Sequence, residues 1–476
     1  MLPSATGTGV TAAAIGLTVL HVALSATVTA HVLLRKRDVG ASVGWIGLAW
    51  LSPFLGSALY GLLGINRVRG RARTLERPRP RDEGVPAPAS PPHADDALAA
   101  IDRTAHRLTR RAAAPGNAVA VLHNGDEAYP RMLAAIDGAA ASIGLSSYIL
   151  RDDSAGGPIL DALTRAHRRG VEVRVLVDGI GGGYFLSPAY RRLRRDGVPV
   201  ARFMHSPLPW RMPFLNLRSH KKILVVDGRV GFTGGLNIGR ENLLRGDPAD
   251  PVRDTHFALH GPVVSQLAEA FARDWQLVTG AEIPAPRREA DAPPSAGASA
   301  RVVTSGPDQD LEKIEILVMQ AITCARRSVG IMTPYFLPDE RLITALALAA
   351  LRGVEVDIVV PERSNHRLVD WGTRAHVGPL LAAGCRIWCN PPPFDHSKLM
   401  VVDGVWSLVG SSNWDVRSFR LNFELDVEVH GVALAETLSR TMREKRGRRL
   451  GAAELARRSL VVRLRDAAAR LALPYV

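Results

Sequence analysis

Two short stretches of the chain place a histidine two residues before a lysine, at the start of an apolar run. They read "SHKKILVVDG" from residue 219 and "HSKLMVVDG" from residue 396. Residues i and i+2 of a β-strand point to the same face, so His220 projects beside Lys222 and His396 beside Lys398. A buried core strand has no use for such a pair, whereas a site that handles an anionic group does.

Each run ends in an Asp-Gly dipeptide, which predicts a β-hairpin turn. Asp227 and Asp403 are the first residues of these turns. If each turn has two residues, the returning strands bring Asn237 back beside the first histidine and Asn413 beside the second. Each hairpin then presents a base, a fixed cation and an amide in one place, and the aspartates hold the turns rather than do chemistry.

These residue types suit chemistry at phosphorus. Lysine and asparagine donate to phosphate oxygens, and histidine can attack phosphorus or move a proton near neutral pH. One histidine cannot easily be both the nucleophile and the acid for the leaving group, but two halves placed face to face supply both roles. Paired histidines also fit a zinc site. Two lysines would repel a divalent cation, so no metal and no other cofactor is expected.

The similarity between the two stretches extends upstream, which indicates a duplication. "RRGVEVRVLV" from 168 corresponds to "LRGVEVDIVV" from 351, and each follows a helix-like stretch. Each copy therefore reads as helix, buried strand, long loop and histidine-bearing strand. The pattern predicts an α/β protein with two α/β sandwich halves that form one active site at their interface.

The paired His-x-Lys-x-x-x-x-Asp motifs resemble the phospholipase D superfamily. The phrases "GGLNIG", "RDTHFALHGPVV", "TPYFLPDE", "GSSN" and "RSFRLNFE" are similar to bacterial cardiolipin synthases of the phospholipase D type. The resemblance implies a catalytic set of His220, Lys222, Asp227, His396, Lys398 and Asp403. It also implies phosphate binding by Lys222, Asn237, Lys398 and Asn413.

The resemblance further implies a role for each histidine. His220 would carry a covalent phosphatidyl group, and His396 would act as acid and then as base. Acidic residues downstream usually orient the histidines in this family, which assigns Asp254 to His220 and Glu424 to His396. Alternatively, Asp254 and Glu424 are structural or surface carboxylates with no role at the histidines.

The implied activity joins two phosphatidylglycerol molecules into cardiolipin and releases glycerol. Attack by water instead would make the protein a phospholipase D-type phosphodiesterase, and another acceptor alcohol or phosphatidylethanolamine is an open alternative. The same motifs also serve nucleases, and a net charge of +14 would suit DNA. Apolar N-terminal runs and few aromatics among the basic residues argue against nucleic acid. A non-catalytic relic is disfavoured because both motifs are complete.

The charge pattern predicts contact with an anionic phospholipid membrane. Two basic clusters carry this prediction, one after the apolar N-terminus and one near the C-terminus. They comprise Arg67, Arg69, Arg71, Arg73, Arg77, Arg79 and Arg81, and Arg440, Arg443, Lys445, Arg446, Arg448 and Arg449. The odd count of cysteines, at 324, 385 and 389, favours reduced thiols over a disulfide framework.

Two uncharged runs, Val10–Leu34 and Val39–Gly64, precede the basic linker. At about 1.5 Å per residue, each is long enough to cross a hydrocarbon core of about 30 Å. They predict two transmembrane helices in a bacterial cell membrane. The larger basic cluster after Gly64 places the rest of the chain in the cytoplasm. Alternatively, Pro53 makes the second run re-enter the membrane, with both basic clusters on one side.

The predicted boundaries follow from these features. They are two transmembrane helices over 1–64, a basic Pro/Ala-rich linker over 65–115, a first half over 116–280, a linker over 281–300, a second half over 301–432, and a basic amphipathic helical tail over 433–476.

Overall fold

The computed structural model describes residues 6–35, 39–64, 95–206, 217–246, 248–283, 297–308 and 310–472. The chain divides into two compact units, an N-terminal unit over Met1–Arg71 and a C-terminal unit over Ala72–Val476. All the motif residues predicted from the sequence lie in the C-terminal unit.

The N-terminal unit contains the helices α1 (Thr6–Arg35), α2 (Val39–Leu51) and α3 (Leu55–Leu59), followed by a π-helical turn over Tyr60–Gly64. Among the described residues, only α1 is long and apolar enough to cross a membrane, over Ala13–Arg35 with a mean hydropathy of 1.8. The predicted second transmembrane helix is therefore wrong as one continuous helix. It ends at Leu51 because Pro53 lacks an N–H and its ring clashes with the preceding turn.

The C-terminal unit is built on one sheet of 15 strands. Its strands and the shorter ladders beside it are β1 (Ala114–His123), β2 (Ser142–Ser147), β3 (Glu172–Asp178), β4 (Val200–Phe203), β5 (Ile223–Val226), β6 (Val230–Gly234), β7 (Val252–Arg253), β8 (Thr255–His260), β9 (Ala298–Ser305), β10 (Ser328–Met332), β11 (Phe336–Leu337), β12 (Glu355–Pro361), β13 (Arg386–Asn390), β14 (Phe394–Asp395), β15 (Leu399–Val402), β16 (Trp406–Gly410), β17 (Trp414–Asp415), β18 (Glu424–His430) and β19 (Arg448–Arg449).

The strand order confirms the duplication. The first half runs β4-β3-β2-β5-β6-β8-β1, and the second half repeats it as β13-β12-β10-β15-β16-β18-β9, with β19 added at the outer edge. The two halves join where β1 pairs antiparallel with β9. The predicted α/β class with two equivalent halves is thus confirmed.

Helices cover both faces of the sheet. They are α4 (Asp96–Thr109), α5 (Asn124–Asp137), α6 (Gly156–Arg168), α7 (Pro188–Arg195), α8 (Val263–Thr279), α9 (Lys313–Cys324), α10 (Glu340–Leu351), α11 (Arg367–His376), α12 (Gly378–Ala382), α13 (Val416–Arg420), α14 (Val432–Glu444), α15 (Ala452–Ala456) and α16 (Leu460–Ala472). Side chains that alternate along β2 contact helices on opposite faces of the sheet. Ile143 and Leu145 join the core that includes α5 and α6. Gly144, on the opposite face, leaves room for Phe271 of α8.

The linker predicted over 65–115 ends earlier than expected. Residues 96–109 form α4, whose Ile101 and Ala105 are buried in the core of the second half. Asp102 of the same helix pairs with the fully buried Arg301 of β9. The Pro-rich composition gives way to an amphipathic helical period at this point, and that period decides the structure. Residues 65–94 and 284–296, which make up most of the two predicted linkers, lie outside the described residues.

The predicted tail also begins with an integral helix. α14 buries Leu434, Leu438 and Met442, so it completes the second half as α8 completes the first. Two partly buried residues of the predicted C-terminal basic cluster form ion pairs within the fold, because Lys445 lies 2.7 Å from Asp395 and Arg446 lies 2.7 Å from Asp357. These two residues are therefore wrongly assigned to membrane contact.

Candidate active site

The histidine-bearing strands β5 and β15 each continue into a hairpin turn. Asp227 and Gly228 have φ angles of 53° and 64°, and Asp403 and Gly404 have 53° and 70°. Positive φ at both positions is the type I′ geometry that Asp-Gly favours. Three residues separate the paired Val226 and Val230 in the first hairpin, and three separate the paired Val402 and Trp406 in the second. The predicted two-residue turn is therefore one residue too short.

The two motif aspartates hold the fold and lie far from their histidines. The Asp227 carboxylate accepts from the backbone N–H groups of Ala140, Ala141 and Ser142 at 2.8–2.9 Å. The Asp403 carboxylate accepts from three consecutive N–H groups in the same way. Seven residues of extended chain, roughly 23 Å, separate each aspartate from its histidine. The geometry therefore places both aspartates outside the catalytic set to which the resemblance assigned them.

Replacing Asp227 by alanine is expected to destabilise the C-terminal unit and leave the chemistry intact. Three N–H groups would lose their acceptor, which costs about 1–3 kcal/mol where such groups are shielded from water. Thermal unfolding of the detergent-solubilised protein, followed by tryptophan fluorescence, measures this loss. Glu436→Ala, at an exposed position on α14, is the matched control. A normal unfolding temperature combined with lost turnover would contradict the structural role.

The two histidines meet where the halves face each other. Their ring centroids are 6.1 Å apart with planes inclined by 79°. Each histidine is fixed through its backbone to the opposite half, because the His220 N–H donates to the Phe423 carbonyl and the His396 N–H to the Arg253 carbonyl. The duplicated motifs therefore form a single site.

The carboxylates pair with the histidines across the halves. Nδ1 of His220 lies 3.1 Å from Glu424 and 2.9 Å from the Ser411 carbonyl, and Nδ1 of His396 lies 2.9 Å from Asp254. The predicted pairing of each acid with the histidine of its own half is therefore wrong. With Nδ1 held by an acid, Nε2 of each ring is the nitrogen left for a substrate.

Strand register explains the crossed pairs. β14 pairs parallel with β7, which sets Asp395 opposite Arg253. One residue further along both chains come His396 and Asp254. In the same way, a single parallel bridge sets Ser219 opposite Phe423, and the next residues along the two segments are His220 and Glu424. Both acids therefore face the other half, although each lies near its own hairpin in the sequence.

The two lysines lie buried beneath the histidines. Nζ of Lys222 donates to the His220 carbonyl at 2.6 Å, and Nζ of Lys398 donates to the His396 carbonyl at 2.5 Å. Burial lowers the pKa of Lys222 to about 7 and that of Lys398 to about 8, although Glu424 and Asp254 oppose the shift. Each lysine therefore brings a positive charge whose presence near neutral pH depends on a bound or neighbouring anion.

The pKa values of the two carboxyl groups beside the histidines are shifted in opposite directions. Burial raises the pKa of Asp254 to about 7. Burial acts in the same direction on Glu424, but His220 and Lys222 outweigh it and hold the pKa of Glu424 below its usual value. Burial also lowers the pKa of both histidines, most strongly for His396. Near pH 7, His220 is thus neutral against a charged acid, and the pair of His396 and Asp254 can hold a proton between them.

The predicted asparagines lie on the segments that follow β6 and β16. The side-chain oxygen of Asn237 accepts from the Ile149 N–H at 3.4 Å, and its carbonyl accepts from the Tyr129 hydroxyl. Asn413 is buried, and its side-chain oxygen has no hydrogen-bond partner among the described residues. Phosphate binding by either amide stays a prediction.

Two tyrosines at the site were missed by the sequence analysis. The ring of Tyr148 lies 5.1 Å from that of His220, and Tyr335 lies 6.2 Å from His396. Tyr148 also lies 5.2 Å beneath the Lys222 ammonium. Both tyrosines follow equivalent strands, in "SIGLSSY" and "SVGIMTPY". Aligning the two copies beyond the motifs would have found them.

This set of groups suits nucleophilic attack at a phosphodiester, with one imidazole as nucleophile and the other moving a proton. In the parts of the chain that the structure describes, no group of three or more His, Cys, Asp or Glu side chains is arranged to hold a metal ion. Lys222 and Lys398 supply positive charge beside the two histidines.

The lysine pKa values predict an alkaline limb in the pH–rate profile. Charge on Lys222 and Lys398 is present below their pKa values of about 7 and 8 and is lost as the pH rises through them. We therefore expect kcat/KM for an anionic phosphodiester to fall as the pH rises from about 7, and more steeply above about 8, since kcat/KM reports the free enzyme. The decline in kcat should begin at a higher pH than the decline in kcat/KM, because the bound phosphodiester raises the pKa values of the two lysines.

Steady-state rates on an anionic phosphodiester over the range from slightly acidic to alkaline pH test this expectation. Lys313→Arg, a change at a lysine that pairs with Asp310 away from the histidines, should leave the profile unchanged. A value of kcat/KM that stays level or rises through the lysine pKa values would show that the charge of these lysines is not required.

Comparisons with known proteins agree with this architecture. Residues 132–275 and 318–446 match the family described as "Cardiolipin synthase, PLD-like domain". The chain is 33% identical to a cardiolipin synthase of Geobacillus kaustophilus (strain HTA426) over 93% of this chain and 90% of that protein. It is 32% identical to the major cardiolipin synthase ClsA of Bacillus subtilis (strain 168), over 93% of this chain and 95% of the relative.

Among solved structures, a phosphatidylserine synthase from Haemophilus influenzae Rd KW20 superimposes with a TM-score of 0.60 at 16% identity. The match covers 79% of this chain and 100% of that chain, and it shows the shared fold. The family match covers both histidine motifs, and the curated relatives match over most of their own lengths. The chain therefore belongs to the cardiolipin synthase family of phospholipase D-like phosphatidyltransferases.

Proposed function

We propose that this protein is a cardiolipin synthase that transfers a phosphatidyl group between two phosphatidylglycerol molecules through a phosphatidyl-histidine intermediate. The observation that carries the proposal is the pair of buried histidines 6.1 Å apart, each held by an acid of the opposite half. Relatives named cardiolipin synthase, similar over most of the chain, support the choice of substrate.

In the first step, Nε2 of His220 attacks the phosphorus of the donor lipid. A P–N bond forms, the P–O bond to the headgroup glycerol breaks, and His396 gives its proton to the departing oxygen. The charged Glu424 stabilises the imidazolium that forms at His220. Asp254 does the same for the protonated state of His396, and an anionic phosphate in the site favours that state.

In the second step, His396 takes the proton from a hydroxyl group of the second phosphatidylglycerol. The resulting oxygen nucleophile attacks phosphorus, the P–N bond breaks, and His220 returns to its starting state. Lys222 and Lys398 stabilise the charge on the phosphoryl oxygens in both transition states. Asn237 and Asn413 are proposed to add neutral donors.

We further propose that the protein acts at the bacterial cell membrane, with the C-terminal unit in the cytoplasm. The apolar helix α1 supports membrane association, and the basic residues after Gly64 support the orientation. The partners are then anionic phospholipids, and nucleic acid is not a substrate. A dense supply of acceptor lipid at the bilayer favours transfer over hydrolysis.

Incubating the purified full chain in vesicles with labelled phosphatidylglycerol tests the proposed reaction. Cardiolipin and free glycerol should form in equal amounts, and added phosphatidylethanolamine should not be needed. Phosphatidic acid as the main product would identify a phosphodiesterase instead. Cardiolipin that forms only when phosphatidylethanolamine is present would identify a different pair of substrates.

A further inference from the structure

A loop after β3 presents two large apolar side chains to the surroundings beside the candidate active site. Phe185 is 78% exposed and Leu186 is 67% exposed. The loop is firmly anchored, because Arg202 donates to the carbonyls of Gly179 and Tyr184 at 2.9 Å each. An anchored loop with an exposed apolar tip is typical of a surface that meets an apolar partner.

Contacts connect this loop to the nucleophile proposed above. The Asp178 carboxylate, directly before the loop, accepts from the backbone N–H of Ser219, the neighbour of His220. Gly181 packs so closely on Tyr148 that an added Cβ would lie 2.5 Å from its ring. The Tyr148 ring in turn contacts the ring of His220. The start of the loop therefore lies against the histidine site, and the apolar tip follows Gly181 by four residues.

The residues that follow the tip are basic. Helix α7 reads "PAYRRLRR", and Arg191, Arg194 and Arg195 are exposed on it. Apolar side chains next to several arginines match a bilayer surface with anionic headgroups, which takes up the apolar tip and attracts the cations. We propose that Phe185 and Leu186 insert into the anionic bilayer and hold the histidine site at the headgroup level. This inference rests on the proposed function, since it supplies the route by which lipid reaches the site.

A nitroxide attached to Phe185→Cys tests the insertion directly. The label is introduced in full-length protein that carries Cys324→Ser, reconstituted in phosphatidylcholine vesicles containing phosphatidylglycerol. It should collide readily with oxygen and be shielded from a water-soluble nickel complex. The matched control is Glu172→Cys, an exposed position at the opposite end of β3. Equal access of the nickel complex to both labels, or shielding of the tip from both reagents by protein, would overturn the inference.

A rate measurement separates this inference from the proposed function. Changing both Phe185 and Leu186 to serine should lower the rate on vesicle phosphatidylglycerol by about tenfold or more, since both side chains lose an apolar environment. The rate on short-chain phosphatidylglycerol dispersed as monomers should stay unchanged. A loss on both substrates would place the loop in the chemistry instead of at the membrane. Absence of cardiolipin synthesis in the wild type would refute the function, while the label still reports the insertion.

A second inference concerns the N-terminal unit and rests on different contacts. α1 and α2 pack side by side, because Ser25 donates to the Ala49 carbonyl at 2.7 Å and the Trp50 indole donates to the Thr29 hydroxyl at 3.0 Å. The chain then reverses near Pro53. Gly56 lies against the end of α2, where an added Cβ would be 2.1 Å from the Leu48 carbonyl oxygen.

The contacts of Tyr60 show that the chain after Pro53 returns to the level of His31 on α1. Its hydroxyl lies 2.6 Å from Nδ1 of His31, and its ring centroid lies 5.3 Å from that of Trp45. Had the helix continued past Ala49, which is level with Ser25, Tyr60 would lie roughly 25 Å from the level of His31 at 1.5 Å per residue. That gap is several times the length of a tyrosine side chain, so the segment after Pro53 runs back toward the start of α2.

We infer that α1 crosses the membrane once and that residues 39–64 form a re-entrant hairpin. The chain then leaves the membrane on the side where α1 ends. The end of α1 and Gly64 therefore lie on one side, and the basic sequence next to each makes that side the cytoplasm by the positive-inside rule. A polar seam of His21, Ser25 and Thr29 toward α2 accounts for the polar residues in these apolar segments.

Cysteine accessibility in intact cells tests this topology. With a membrane-impermeant maleimide, Asp38→Cys and Asn66→Cys should both be protected until the cells are permeabilised, whereas Ser4→Cys should be labelled at once. Labelling at residue 38 with protection at residue 66, or the reverse, would establish two crossings and overturn the hairpin. Turnover of each variant on phosphatidylglycerol confirms that the labelled protein is folded.

Discussion

Replacing His220 by alanine is expected to abolish phosphatidyl transfer, with a loss of about 10⁴-fold or more. The imidazole is the proposed attacking group, and the variant leaves Glu424 buried with no imidazolium to stabilise. His396 faces Asp254 and is committed to proton transfer, so it does not replace the missing nucleophile. Cardiolipin formation from labelled phosphatidylglycerol measures the loss.

His260→Ala is the matched control for this variant. His260 is an exposed histidine at the far end of β8, and its removal should leave near-normal turnover. A His220→Ala protein that keeps a few per cent of wild-type activity would contradict its role as nucleophile. Comparable unfolding temperatures for both variants would show that the loss is chemical.

Replacing His396 by alanine is expected to lower turnover on phosphatidylglycerol by about 10²–10⁴-fold, the usual contribution of a general acid. The glycerol oxygen would then depart without a proton. The initial burst of nitrophenol from a nitrophenyl phosphodiester should stay near normal, because this burst reports the first step alone and that leaving group needs no proton. The comparison of the two substrates separates proton transfer from attack at phosphorus.

The crossed carboxylates extend this comparison. Asp254→Asn should mimic a mild form of His396→Ala and be rescued by the nitrophenyl leaving group, since Asp254 contacts His396. Glu424→Gln should slow both substrates, since Glu424 contacts His220. The opposite pattern, with rescue in the Glu424 variant alone, would exchange the roles of the two histidines.

Local sequence signals predicted the parts of the site that lie within one hairpin. His220 and Lys222 share a strand face, and Asp227 with Gly228 fixes the turn that follows. The repeat of these signals around His396 predicted two halves and a shared site. The two-residue alternation of a strand decides which side chains share a face, and the Asp-Gly dipeptide decides where the hairpin turns; both can be read from the sequence.

Features set by pairing between the halves could not be predicted in this way. Glu424 reaches His220 only because a bridge aligns Phe423 with Ser219 across the interface. Tyr148 and Tyr335 each contact the histidine of their own half, but an isolated tyrosine after a strand carries no signal, and only alignment of the two copies would have predicted them. Composition also misled at α4, where a helical period begins inside a segment that is Pro-rich overall.

Rapid quench of the wild-type protein with phosphatidylglycerol, followed by mass spectrometry of the digested chain, shows directly whether His220 is the nucleophile. We expect a phosphatidyl adduct on His220 that forms within the first turnover, is consumed as cardiolipin appears, and is absent from His220→Ala. An adduct on His396 would reverse the division of labour. The absence of an adduct on either histidine, in a preparation that makes cardiolipin, would contradict the two-step mechanism.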